Sequence, residues 1–233
     1  MQRARLAKIP QEDTMAAGRE FETAQQAWEW ILAQISVGGT MFRCQDETMT
    51  REIENVAVSI RDPGVGWPLK NSEWSMPGLE AYAAQLMTVD PGGFDYTYGN
   101  RMTAWFLTDQ IYDSVKLLQA EPDTRRATIV IWDAECEHDR IDKCHEVPCM
   151  IAIQPYIRSG KLNMTAVFRS QDMRRAWPQN VFGLAHLQRF MATGDHLAAV
   201  DDYVVGTFGE EFSGLGVKVG TLSTMTVSAH VYY

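Results

Sequence analysis

The chain has 233 residues and sets 21 lysines and arginines against 30 aspartates and glutamates, a formal charge of −9. That balance argues against duplex DNA and anionic membrane as main partners, because both require a basic surface. The length suffices for one sizeable core, and four cysteines at irregular spacing fit a reducing compartment better than a disulfide scaffold.

No apolar run approaches the roughly 18 residues of a membrane span. The N-terminus lacks the apolar stretch and small-residue cleavage site of a signal peptide, so a cytoplasmic location is expected. Residues 1–20 are polar and are expected to be loosely ordered. Without internal repeats or low-complexity tracts, residues 21–233 read as a single domain. Residues 24–35 place Ala24, Ala27, Trp28, Ile31, Leu32 and Ile35 on one face of an amphipathic helix, which Gly38-Gly39 ends. Residues 51–60 read as a strand. Residues 62–77, with three prolines and two glycines, read as a loop, and 78–87 as a helix. Asp90-Pro91-Gly92-Gly93 breaks the chain, and the pattern then predicts one long helix over 101–119.

The second half is strand-rich. The continuous apolar run 128–132 predicts a buried strand, and 150–157 with 162–168 predict a hairpin around Ser159-Gly160. Residues 178–192 predict a helix with Pro178 in its first turn. Over 224–232, apolar Met225, Val227, Ala229 and Val231 alternate with polar residues. A period of two therefore puts His230 and Tyr232 on one polar face that can be presented to a ligand.

The chemistry gathers around Cys149. Arg169-Ser170-x-Asp172 begins twenty residues later, and Asn180 stands eight positions beyond Asp172. A thiol reacts as thiolate and needs positive charge close by, which Arg169 supplies from the neighbouring hairpin strand. Alone, Cys149 reads first as a buried structural thiol, and Arg169, Ser170, Asp172 and Asn180 in register reverse that reading. Cys136, His138, Cys144, His145 and Cys149 fall within 14 residues, but their spacing matches no usual zinc knuckle, and no metal is expected.

This order and spacing resembles the thymidylate synthases. Pro122-Asp123-Thr124-Arg125-Arg126 and the terminal Ser228-Ala229-His230-Val231-Tyr232 agree, so the resemblance runs from about Tyr98 to Tyr232. It implies an α+β fold, a mixed β-sheet with helices on one face and a dimer formed through the other. It also implies 5,10-methylenetetrahydrofolate as one-carbon donor and a pyrimidine nucleoside monophosphate as acceptor. Cys149 would add to C6 of the pyrimidine, a covalent route that divides one hard step into easier ones.

The resemblance counts Glu80, Tyr98 and Asp172 with Cys149 as catalytic. Glu80 would organise proton transfers around O4, although a solvated helix glutamate is the alternative, and Tyr98 would help remove the C5 proton. Arg169 and Ser170 would grip the phosphate from within, while Arg125 and Arg126 reach across the dimer interface to hold it with guanidinium forks. His230 and Tyr232 would bind the ribose 3′-hydroxyl. Asn180 would match the O4 acceptor and N3–H donor of uracil; the alternative is a helix cap. The deoxycytidylate hydroxymethylases carry an aspartate at that position, so Asn180 points to dUMP.

The departures cluster where the folate would lie. Met150 stands where the family has histidine, Arg175-Ala176 replaces Leu-Gly, and Gln179 replaces phenylalanine. The tryptophan-bearing insertion has no match, the C-terminal tail is missing or lies beyond Tyr233, and the arginine of the N-terminal phosphate loop has only Arg43 or Arg51 as stand-ins. A wetter site lets water, rather than hydride, quench the exocyclic methylene on C5, so hydroxymethylation is expected ahead of methylation. A true synthase making dTMP, a CMP or dCMP hydroxymethylase, and an inactive nucleotide- or RNA-binding homologue are the alternatives.

Overall fold

The computed structural model describes residues 18–44, 47–141 and 147–233, the side chains of 138–141 excepted. Most of the polar N-terminal segment, and the Cys144-His145 pair, lie outside the described residues. The first half contains strand β1 (Arg19–Phe21), helix α1 (Ala24–Gly38) and strands β2 (Thr40–Arg43) and β3 (Met49–Ile60). Helix α2 (Met76–Gln85), a helical turn α3 (Tyr98–Asn100) that runs into a π-turn (Arg101–Trp105), and α4 (Gln110–Ala120) follow. The second half holds β4 (Ile129–Val130), α5 (Ala134–Ile141), β5 (Met150–Arg158), β6 (Lys161–Asp172), α6 (Ala176–Thr193), α7 (Asp201–Phe208) and β7 (Lys218–Tyr232).

Seven strands form one mixed sheet in the order β1-β3-β7-β6-β5-β4, with β2 on the outer end of β3. The central pair β6 and β7 runs parallel, which requires the crossover that α6 and α7 supply. Hairpin β5–β6 turns on Ser159 (φ 53°) and Gly160 (φ 70°), two successive left-handed residues that match the twist of the flanking strands. Helix α6 is apolar nearly all round because it is buried between the sheet, α1 and α2. Trp177 and Phe190 are fully buried there, and Gly194 (φ 80°) ends it. Trp28 of α1 donates through Nε1 to the Met173 carbonyl at 2.6 Å, tying α1 to the turn that enters α6.

Two expectations need correction, and one strand face could not be assigned in advance. The helix over 101–119 is two pieces: Leu107 takes φ 59°, and Asp109 caps a fresh start by accepting from the Tyr112 N–H at 2.9 Å. The strand over 128–132 pairs only at Ile129–Val130. An irregularity between Met150 and Ala152 of β5 interrupts the ladder, so both Ile131 and Trp132 donate to the Ile151 carbonyl instead. In β7 it is the polar residues that face the helices. Thr224 and Thr226 are 2% exposed, whereas Met225 and Val227 are 48% and 52% exposed on the opposite face. The threonines are satisfied there, Thr224 Oγ1 by Trp177 Nε1 at 3.2 Å and Thr226 by Gln171 at 3.1 Å. No helix among the described residues is long and apolar enough to cross a membrane.

Candidate active site

One cavity of about 540 Å³ opens where β5 begins and β6 and β7 end, beside α2 and α6, and its wall includes Tyr82, Tyr98, Cys149, Ser170, Asp172, Asn180, His230 and Tyr232. Cys149 is half-buried at the entrance to β5, on the near side of the β5 irregularity. Its carbonyl accepts from Arg169 N–H at 2.9 Å, making the two residues cross-strand neighbours. The Arg169 guanidinium is clamped by the Pro148 carbonyl at 2.8 Å and the Val147 carbonyl at 3.0 Å, which leaves Nη2 3.9 Å from Cys149 Sγ. A permanent positive charge held beside the sulfur favours the reactive thiolate.

Asn180, the fifth residue of α6, is 4% exposed; its Oδ1 accepts the Tyr82 hydroxyl at 2.5 Å. The Tyr98 hydroxyl accepts from the Met150 N–H at 3.3 Å. Burial, reinforced by Tyr82, Tyr96 and Cys149, holds the Tyr98 phenol well above its usual range, so it is protonated at neutral pH. His230 and Tyr232 share one wall with rings 5.0 Å apart at 88°, as the period-two pattern requires. Asp172 borders the cavity, with Oδ1 turned to the N–H groups of Arg174 and Arg175 at 2.8 and 3.2 Å, which shapes the turn into α6.

Other expected residues are not brought to the cavity. Glu80 is exposed on the outer side of α2, where its charge acts on His186, so the O4 role expected for it is not supported by its position. Arg125 and Arg126 are exposed, and neither lines the cavity of its own chain. Arg43 pairs with Glu47 at 2.6 Å and Arg51 donates to the Ser36 carbonyl at 2.9 Å, both away from the cavity. No group of three or more metal-binding side chains occurs among the described residues.

Tyr82 and Phe94 line the cavity without having been expected to. The signal for Tyr82 lies in the α2 pattern: Leu79, Tyr82, Ala83 and Leu86 recur at helical spacing, whereas Glu80 falls off that stripe. Phe94 follows Gly92 and Gly93, both at positive φ, in a segment without periodicity, so no comparable signal marks it.

A sequence profile described as thymidylate synthase matches residues 33–208. A protein of Methanothermobacter thermautotrophicus named "Putative thymidylate synthase" is 34% identical over 94% of both chains. Proteins of the same name from Methanothermobacter marburgensis, 33% identical over 94% of both chains, and Methanococcoides burtonii, 34% identical over 93% of this chain and 91% of its own, are also similar.

Proposed function

Since the chain belongs to the thymidylate synthase family, we propose that it transfers a one-carbon unit to C5 of a pyrimidine nucleoside monophosphate, with dUMP as the preferred acceptor. The observation that carries this reading is the convergence of the Cys149 thiol, the Asn180 amide and the His230–Tyr232 pair on one cavity, with the Arg169 guanidinium 3.9 Å from the sulfur.

In this reading Cys149 Sγ bonds to C6 as the C5–C6 double bond opens, and the electron pair spreads over C5, C4 and O4. Charge developing at O4 needs a preorganised donor, and Asn180 Nδ2 supplies one while Oδ1 accepts from N3–H. His230 and Tyr232 hold the sugar, which keeps C6 within reach of the thiol. C5 then forms its bond to the one-carbon unit and must lose a proton. Tyr98, a neutral phenol whose oxygen already accepts from Met150, directs its own proton into the cavity and orders the water that takes the C5 proton. Loss of that proton releases the carrier nitrogen from the transferred carbon and leaves an exocyclic methylene on C5. Water adds to this carbon, giving up a proton to solvent, and the electron pair returned to C5 expels Cys149 from C6 and restores the ring.

The cavity suits a flat heterocycle as carbon donor, because Phe94, Tyr96 and Tyr82 give it aromatic walls. When bound there, 5,10-methylenetetrahydrofolate supplies the carbon at the oxidation level of formaldehyde. Gln85, Gln179 and Asp172 make part of the wall polar, and Phe94 is 59% exposed. Water thus has access to the exocyclic methylene, which supports a 5-hydroxymethyl product. Methylation is the second reading, favoured by the name borne by relatives whose length this chain covers to 94%.

Tritium release from [5-³H]-dUMP with methylenetetrahydrofolate tests turnover at C5, and mass spectrometry of the product separates hydroxymethyl from methyl. Absence of release with an intact nucleotide complex would support the inactive homologue instead. Cys149→Ser is expected to lower turnover by roughly three orders of magnitude or more, the scale on which removal of a nucleophile acts, while dUMP binding persists. Activity like that of the wild type in this variant would exclude the covalent route.

A further inference from the structure

The amide that reads the base is itself held. Tyr82 reaches across from α2 to donate its hydroxyl to Asn180 Oδ1 at 2.5 Å. The approach is built into α6: a Cβ at Gly183, one turn after Asn180, would lie 3.1 Å from Leu86 Cδ2 and 3.5 Å from the Tyr82 ring. Glycine at this position leaves room for the Leu86 side chain of α2 beside the Tyr82 ring. Trp74 flanks the same ring with centroids 6.5 Å apart and is anchored through Nε1 to the Arg175 carbonyl at 2.7 Å. Burial raises the Tyr82 phenol far above its ordinary range, so it is a donor at every working pH.

We propose that Tyr82 is a positioning residue for base selection, fixing the orientation of the Asn180 amide so that the cavity accepts uracil and disfavours cytosine. The inference rests on the cavity being a pyrimidine-nucleotide site. An amide oxygen has two acceptor positions. With Tyr82 on one, the other is free for N3–H of uracil, and Nδ2 faces O4. Cytosine demands the reverse, Nδ2 toward N3 and Oδ1 toward the 4-amino group. Turning the amide over would also present Nδ2 to the Tyr82 hydroxyl, and the phenolic proton would lose the acceptor it has in the folded chain. A buried donor without an acceptor is disfavoured strongly enough to bias the amide.

The test is competition binding of dUMP and dCMP to the full chain and to Tyr82→Phe, which removes the hydroxyl and keeps the ring. The expected result is a dUMP:dCMP affinity ratio about tenfold smaller in the variant, equivalent to about 1.4 kcal/mol, with KM for dUMP rising more than kcat falls. A purely structural role would lower Tm and weaken both nucleotides alike. A ratio unchanged within about twofold in a Tyr82→Phe protein that still binds dUMP overturns the inference and leaves the proposed function standing. Wild-type protein that binds neither nucleotide, or prefers dCMP, overturns the assignment of the site and the inference together.

Discussion

At the scale of single residues, the site depends on groups whose partners leave them one useful orientation. Arg169 is committed to two backbone carbonyls, so its charge stays beside Cys149 without spanning the cavity. Asn180 is oriented by Tyr82. Asp172, expected among the catalytic groups, gives one oxygen to the backbone of the next turn and so shapes the cavity as well as bordering it. The base preference belongs at this scale. Asn180→Asp is expected to narrow the preference for dUMP over dCMP or reverse it, because a protonated carboxyl can donate to N3 of cytosine and accept from its amino group. A mismatched buried pair costs about 1–3 kcal/mol, so the change in relative affinity should be roughly tenfold. Competition binding that finds the same preference in both proteins would show that Asn180 does not read the base.

At the scale of elements, several features turn on how a segment starts or is interrupted. The β5 irregularity lies directly after Cys149 and ends regular pairing beside the nucleophile, a common place for such features. Asp109 starts α4, accepts the Tyr203 hydroxyl at 2.8 Å and so connects α4 to α7. Asp109→Ala is expected to destabilise the protein by about 1–2 kcal/mol through loss of the cap, measured by denaturant unfolding. The pH dependence has a definite sign. Burial raises the folded-state pKa of Asp109 above 3.8, so its favourable linkage is complete below that value and is lost as the pH rises through the folded pKa. Asp109→Asn keeps an accepting oxygen and carries no charge. Its stability relative to wild type should therefore improve as the pH is raised above 3.8; a difference flat with pH would contradict this.

At the scale of the whole molecule, the sheet presents one face to the helices, and among the described residues part of the other face is uncovered. Met225, Val227 and Val130 are 48%, 52% and 41% exposed, in a chain whose formal charge is −9. Among the described residues lining the cavity there is no lysine or arginine, although a nucleotide phosphate needs cations. Arg125 and Arg126 stand exposed elsewhere. A two-fold dimer through the uncovered sheet face, with each chain lending this pair to the other's cavity, meets both requirements, and we propose that assembly. Arg126→Ala should weaken nucleotide binding by roughly tenfold, the scale of a lost charge-assisted hydrogen bond. Mixing it with Cys149→Ser protein should restore part of the activity through hybrid dimers carrying one complete site. No recovery after verified subunit exchange, or a stable monomer in sedimentation, would rule the shared site out.

The constellation itself was legible from order and spacing. Cys149 and Arg169 sit on the two arms of one hairpin, where local turn chemistry sets the pairing. His230 and Tyr232 share a strand face by period two. These relations depend on neighbours in the chain, which periodicity reports directly. What covers each face was decided only by the assembled structure. The same period that groups Thr224 with Thr226 does not say that α6 lies over the threonines and leaves Met225 and Val227 bare. The α2 pattern separates Glu80 from Tyr82 by two residues, hence to nearly opposite sides, but only the packing of α2 against Gly183 turned Tyr82 to Asn180 and left Glu80 outside. Within one element, geometry follows from covalent repetition; between elements it follows from how side chains fill shared volume, and that volume exists only once α2, α6 and the sheet have met.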